Sequence, residues 1–85
     1  MFNTPSLQIS PNPASMQFNV GINGSNKNDR WTMQITDYLG KSVMQKDING
    51  GGILQSIDIS SLDAGVYIVQ VMNNGTLLNK KLVIK

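Results

Sequence analysis

The sequence predicts an all-β domain, a seven-stranded immunoglobulin-like antiparallel β-sandwich, on three observations. Apolar residues recur at every second position in several segments, as they do along one face of a strand. No stretch of helical length has apolar residues at spacings of three and four, and Gly, Asn and Ser, which disfavour helices, are spread throughout. Turn residues separate the alternating segments, and such a series of short strands is typical of a two-sheet sandwich.

One domain accounts for the whole length. The chain has 85 residues, of which 40% are hydrophobic and only 14% are charged, and its net charge is +2. It therefore has apolar side chains to bury, too little charge repulsion to stay unfolded, and too few residues to form two cores. We predict one domain over residues 7–85 and interpret residues 1–6 as a linker remnant or an artificial start of the chain.

The first four strands are predicted where apolar and polar residues alternate, at residues 7–10, 16–22, 31–36 and 42–48. Trp31 occupies an alternating apolar position in the third strand and is expected in the core. Between the third and fourth strands, Asp37 and Gly40 frame a tight hairpin turn. Gly40 is free there to take a positive φ.

The last three strands are predicted at residues 53–59, 66–72 and 77–84. The sixth strand is apolar on both faces, which indicates a central position. Asn74-Gly75, between the sixth and seventh strands, is the strongest short-range hairpin signal. Residues 21–30 are interpreted as a long mobile loop, and Gly50-Gly51-Gly52 as a flexible connector.

A short motif at the start of the sixth strand sharpens the fold prediction. Leu62, Gly65 and Tyr67 have the spacing of a tyrosine corner, in which the phenol hydroxyl bonds back to the upstream backbone. Gly65 is expected to permit the tight turn before the strand. A structural role is therefore expected for Tyr67 rather than a role in binding.

The residue inventory excludes most catalytic chemistry. The sequence contains no Cys, His or Glu, so it lacks a thiolate nucleophile, an imidazole base and the usual nitrogen and sulfur ligands of zinc. All five acidic residues are Asp, and no closely spaced group of them resembles a calcium loop. We predict no enzyme activity, no catalytic residue, no cofactor and no bound metal.

No membrane span and no nucleic-acid partner are expected. No apolar run approaches the ~20 residues that a membrane-spanning helix needs, and residues 1–6 lack the pattern of a signal peptide. Basic and aromatic residues are too sparse in the middle of the chain to line a nucleic-acid groove, since they are limited there to Arg30, Trp31 and Tyr38.

Four segments together resemble a known family. They are residues 9–14 (Ile-Ser-Pro-Asn-Pro-Ala), 35–43, 57–69 and 80–85 (Lys-Lys-Leu-Val-Ile-Lys). In this order and spacing the chain resembles the type A C-terminal sorting domain of proteins exported by the type IX secretion system (Por secretion system) of Bacteroidetes. The likeness covers residues 7–85. Each motif is common by itself, whereas four in register are specific.

The resemblance implies a non-catalytic secretion signal. Such domains follow an N-terminally fused cargo protein, which they direct through the periplasm and across the outer membrane by the type IX translocation machinery. A sortase-like cysteine protease then removes the domain, and the cargo is anchored at the outer-membrane surface or secreted. We expect a monomer, with pairing of two copies through exposed strand edges as the alternative.

The family's motifs can be carried over residue by residue. They fall on Pro11, Pro13, Asp37, Gly40, Leu62, Gly65, Tyr67, Lys81 and Lys85. We expect the sorting machinery to recognise Pro11, Pro13, Lys80, Lys81, Ile84 and Lys85. The resemblance implies structural roles for the remaining motif residues.

The residues themselves suggest a mode of recognition. A strand that finishes at the last residue presents backbone donors and acceptors on a sheet edge, where a receptor can add a strand. Lys80, Lys81 and Lys85 all follow the last acidic residue, Asp63, and such a basic edge favours an acidic receptor groove. Two alternatives stay open: the lysines only protect an edge against aggregation, and the prolines only end the first strand.

A second class of function also stays open. A structural or adhesive fibronectin-like module that binds protein or glycan would have the same fold, because a fold does not determine function. Loss of function on deletion of Ile84 and Lys85 would favour the secretion signal. Tolerance of a C-terminal extension would favour the adhesive module.

Overall fold

The computed structural model describes residues 4–85. They form seven strands: β1 Ser6–Ser10, β2 Gln17–Asn23, β3 Arg30–Asp37, β4 Ser42–Asn49, β5 Gln55–Asp58, β6 Gly65–Asn73 and β7 Thr76–Ile84. The strands pair antiparallel in a three-stranded sheet, β1-β2-β5, and a four-stranded sheet, β4-β3-β6-β7. The prediction of an all-β fold with seven antiparallel strands is confirmed.

Alternating apolar side chains fill the space between the two sheets. Burial follows every second residue along β2, β3 and β6, as the period of a strand requires. No polar or charged residue among residues 4–85 is buried. The largest fully buried side chains are Phe18, Ile22, Met33, Ile35, Ile57, Ile59, Leu82, Val20, Val69 and Val71. Trp31 is also in the core, at 2% exposure, as expected.

β6 lies between β3 and β7 and is central in its sheet, as predicted. Only one of its two apolar faces is covered, however. Val66, Ile68 and Met72 are 42%, 37% and 48% exposed on the other face. The reason is that residues 4–85 form two layers, so the outer face of this sheet has no third layer to pack against.

The fifth strand is shorter than the prediction of residues 53–59. β5 is Gln55–Asp58, and Ile53 and Leu54 before it are exposed. β5 pairs only with Gln17–Val20 of β2, so these two residues have no partner in that ladder. Met16, predicted to begin the second strand, also lies outside it and is 67% exposed.

The glycines after β4 contact the loop after β2. Gly51 N–H donates to the hydroxyl of Ser25 at 3.0 Å. A Cβ added to Gly50 would lie 2.5 Å from the carbonyl oxygen of Asn26, closer than any side chain allows. The interpretation of Gly50-Gly51-Gly52 as a flexible connector is therefore wrong, because the missing side chains let two backbone segments pack closely.

The predicted linker is described only in part. Residues 1–3 lie outside the described residues, and Ser6 is the first residue of β1. In residues 4–85 the structure has no helix of the length and apolar character needed to cross a membrane.

Candidate functional site

The segment after β1 lies along the outer edge of β7. We call residues 11–14 (Pro11, Asn12, Pro13 and Ala14) the strap. Ala14 N–H donates to the carbonyl of Val83, and Lys85 N–H donates to the carbonyl of Ala14, both at 2.8 Å. The strap therefore adds a short parallel bridge beside the second half of β7.

The side chain of Asn12 extends this bridge. Its Nδ2 donates to the carbonyl of Lys81 at 2.8 Å, and its Oδ1 accepts from Val83 N–H at 3.0 Å. The side-chain amide thus bonds to β7 as a peptide group of a neighbouring strand would. Sequence reasoning assigned this motif to its two prolines and missed Asn12, because residues 69 and 71 positions away in the chain supply its partners.

The two prolines flank Asn12 in the strap. Proline has no backbone N–H, so neither Pro11 nor Pro13 can donate to a ladder. Both residues are exposed, and both are preceded by a cis peptide bond. Ala14, directly after Pro13, is 2% exposed and belongs to the core.

The strap corrects the expectation that the end of the last strand is a free edge. In an antiparallel strand, the backbone groups of successive residues point alternately to the two neighbours. Val83 directs both its groups to the strap, so Lys81, Asn79 and Leu77 also direct theirs away from β6. Asn12 occupies the Lys81 carbonyl. We call the remaining outward groups, those of Leu77 and Asn79 and the N–H of Lys81, the open edge.

The predicted recognition residues fall into two environments. Lys80, Lys81 and Lys85 are exposed, and β7 carries no acidic residue. Pro11 and Pro13 lie beside them in the strap, so these motifs from the two ends of the chain meet on one side of the domain. Ile84, in contrast, is 3% exposed and part of the core, so a partner cannot touch its side chain while the domain is folded.

The tyrosine motif lies where the chain passes from β5 in one sheet to β6 in the other. The Tyr67 hydroxyl donates to the carbonyl of Asp63 at 2.6 Å, the backward bond expected of a tyrosine corner. Leu62 packs against the core. Gly65 does not form the tight turn predicted for it: it begins β6 with a nearly extended backbone, φ 159°, and pairs with Ile84.

Asp37 organises the turn between β3 and β4. Its Oδ1 accepts from Leu39 N–H and Lys41 N–H, each at 2.9 Å. Gly40 has a φ of 85° and donates to the carbonyl of Asp37. Tyr38 and Leu39 at the tip are 81% and 78% exposed, so the turn holds two large apolar side chains in solvent.

One carboxylate has a shifted pKa. The hydroxyl of Ser60 donates to Asp58 Oδ1 at 2.7 Å and its backbone N–H donates at 2.9 Å, and in that order these bonds hold the pKa of Asp58 below its ordinary value. In the described residues, no group of three or more His, Cys, Asp or Glu side chains could hold a metal ion, and no pocket is present.

Amide hydrogen exchange checks the strap. We expect the Val83 amide to exchange slowly and the Asn79 amide, on the open edge, to exchange fast. In Asn12→Ala, Val83 should exchange at least about fivefold faster, the factor for one lost hydrogen bond of about 1 kcal/mol. Asn28→Ala removes an exposed side chain outside the strap and serves as the control. Equal Val83 rates in both variants would contradict the Asn12 contact.

A known protein family matches most of the chain. The model of a family described as secretion system C-terminal sorting domain matches residues 8–85 of this chain. That range includes the strap, both hairpin turns, the tyrosine motif and the whole of β7. A search of curated proteins gives no match.

Proposed function

Since this chain belongs to the family of secretion system C-terminal sorting domains, a type IX secretion signal, we propose that the export machinery reads it as a folded domain. We propose that the surface it reads is the strap together with β7. Membership implies an N-terminal cargo, a type IX secretion machinery as partner, and export of the cargo toward the cell surface or beyond. The family is generally non-catalytic, and we propose that this member has no enzyme activity.

The observation that carries the proposal is the pairing of the strap with β7. Asn12 bonds to Lys81 and Val83, so the Pro-x-Pro and Lys-x-x-x-Lys motifs form one continuous surface only when the domain is folded. An unfolded chain would present them about 70 residues apart. We infer that Pro11, Pro13, Lys80, Lys81 and Lys85 are recognised together. Ile84 acts indirectly, by holding β7 in the core.

The other motif residues support this surface from behind. Tyr67 and Gly65 lie in β6, the strand to which β7 is hydrogen-bonded. Leu62, in the segment before β6, packs against the core. Asp37 and Gly40 shape the neighbouring hairpin turn. We propose structural roles for all five.

We also propose that the fold is immunoglobulin-like. The supporting features are a sheet of the first, second and fifth strands that faces a sheet containing the third, sixth and seventh, and a tyrosine corner where the chain passes from β5 to β6. In this comparison β4 corresponds to the additional edge strand that variable-type domains place beside the third strand.

The later fate of the domain is proposed from the family alone. We propose that a sortase-like protease removes it at the outer-membrane surface, after which the cargo is anchored there or secreted.

A secretion assay with surface-only substitutions tests the proposal. The chain is fused to the C-terminus of a periplasmically exported fluorescent protein in a bacterium with a type IX system. We expect the unaltered fusion to reach the surface with loss of the domain's mass. Lys81→Ala/Lys85→Ala should lower delivery, because both charges flank the strap. Lys27→Ala/Lys46→Ala removes equal charge elsewhere and should not.

The outcomes separate the parts of the proposal. Periplasmic retention of the unaltered fusion would contradict the sorting activity. Equal delivery of the two double variants would contradict the recognition surface. Deletion of Ile84 and Lys85 is the harsher variant, and its delivery should fall together with its stability because Ile84 is buried.

A further inference from the structure

The open edge is a row of backbone groups with no partner strand in residues 4–85. It contains N–H and C=O groups of Leu77 and Asn79 and the N–H of Lys81, all directed away from β6. Unpaired groups of this kind are a template for an added strand. On one side the strap ends this row, so an added strand can pair with residues 77–81 and must stop at Asn12.

The opposite edge of the same sheet is less suited to an added strand. At one end of β4, the side-chain amide of Gln55 bonds to both the N–H and the C=O of Asn49, at 2.9 Å each. At the other end the pairing of β4 with β3 shifts register between Ile35 and Thr36. Between these points β4 carries both an acidic and a basic residue, Asp47 and Lys46, and therefore has no charge preference.

The side chains beside the open edge define the chemistry of the strand that fits it. On the outer face Leu77 is 47% exposed and lies opposite Met72 of β6, which is 48% exposed. Leu78 on the other face is only partly buried against the core. Lys80 and Lys81 follow after Asn79 and are exposed. An added strand therefore gains apolar contacts at one end and charge complementarity at the other if it carries acidic residues there.

We propose that residues 77–81 of β7 bind an extended, apolar and acidic segment of a partner protein as a fifth strand of this sheet. The inference rests on the proposed sorting function and names the kind of partner that the function requires. A second copy of the chain fits less well. Two β7 strands paired antiparallel about Asn79 bring the turn of each copy, residues 73–76, against the strap of the other, and both edges are basic.

Single proline substitutions test the backbone contact. Asn79→Pro removes one outward N–H and leaves the bonds to β6, which are made by the even-numbered residues of β7. We expect delivery of the fluorescent fusion to fall by at least about fivefold, the factor for one lost hydrogen bond. Asn79→Ala keeps the N–H and should be delivered normally. Asp47→Pro, which removes an outward N–H from β4, is the matched control and should also be delivered normally.

Thermal unfolding of each variant shows whether the substitution has abolished the fold. If Asn79→Pro does not fold, Leu77→Pro, next to the hairpin turn, removes another outward N–H and takes its place. Normal delivery of the folded proline variant overturns the inference while the sorting function stands. Retention of the unaltered fusion overturns both. A dimer of the unaltered chain in sedimentation that Asn79→Pro dissociates makes a second copy the occupant and overturns the proposed partner.

Discussion

Ile84→Ala is expected to lower the free energy of unfolding by about 2–5 kcal/mol, the cost of truncating a buried Ile and leaving a cavity. The side chain is 3% exposed, and its backbone lies between Gly65 of β6 and Ala14 of the strap. Small domains have only about 5–15 kcal/mol to lose. Since 1 kcal/mol corresponds to roughly 4–8 °C in a domain of this size, the melting temperature should fall by about 10 °C or more.

Ile53→Ala is the matched control for this substitution. Ile53 is 57% exposed and lies outside the strands, so its truncation should change stability by no more than about 0.5 kcal/mol. The measurement is thermal or urea unfolding of both variants. Similar midpoints for the two variants would show that Ile84 is not in the core. As a predicted recognition residue, Ile84 would then have to contact the export machinery directly.

Tyr67→Phe is expected to lower the free energy of unfolding by about 1–3 kcal/mol, because the Asp63 carbonyl loses its donor in a part-buried site. The ring itself stays, so no large cavity forms. The effect should spread to β7, since Tyr67 pairs with Leu82 in the ladder. We therefore also expect faster exchange of the strand amides in β7.

The second tyrosine provides the control. Tyr38 is 81% exposed, so Tyr38→Phe should leave stability within about 0.5 kcal/mol of the unaltered chain. Urea unfolding of both variants makes the comparison. An equal and small effect of both substitutions would contradict a structural role for the tyrosine corner.

Ile84→Ala and Tyr67→Phe distinguish the effect of the folded scaffold on delivery from the effect of the recognition surface. Ile84 and Tyr67 act on the packing and position of β7, so their variants should lose stability and delivery together. Lys81 and Asn79 are exposed, so Lys81→Ala/Lys85→Ala and Asn79→Pro should lose delivery while the fold remains. If delivery falls only in variants with lowered stability, the machinery recognises only whether the domain is folded.

Much of the fold could be predicted because strand formation is locally encoded. Side chains alternate between the two faces of a strand, so the apolar period of two located the strands approximately and marked most of their inward residues. Turn residues are equally local. Asn74 and Gly75 take positive φ values of 43° and 85°, as the hairpin between β6 and β7 requires. The motif of Tyr67 identified a bond that spans only four residues.

The candidate site was less accessible to sequence reasoning, because its contacts are long-range. The prolines and lysines of the motifs were visible, but nothing local indicates that Asn12 bonds to β7. The exposure of Val66, Ile68 and Met72 was also hidden, since apolar residues on both faces of a strand look alike whether one face or both are covered.

The sequence by itself therefore determined the approximate positions of the strands, most of their inward residues, two hairpin turns and the family, all of which depend on residue order over short distances. Only the tertiary structure decided which strand edges are occupied. The edge of β7 next to Lys81 and Val83 is closed because the strap, about 70 residues earlier in the chain, lies beside it. Its other half stays open because no backbone segment of residues 4–85 hydrogen-bonds to its outward groups. Edge occupancy is a property of how distant segments meet in space, and neither periodicity nor composition encodes it.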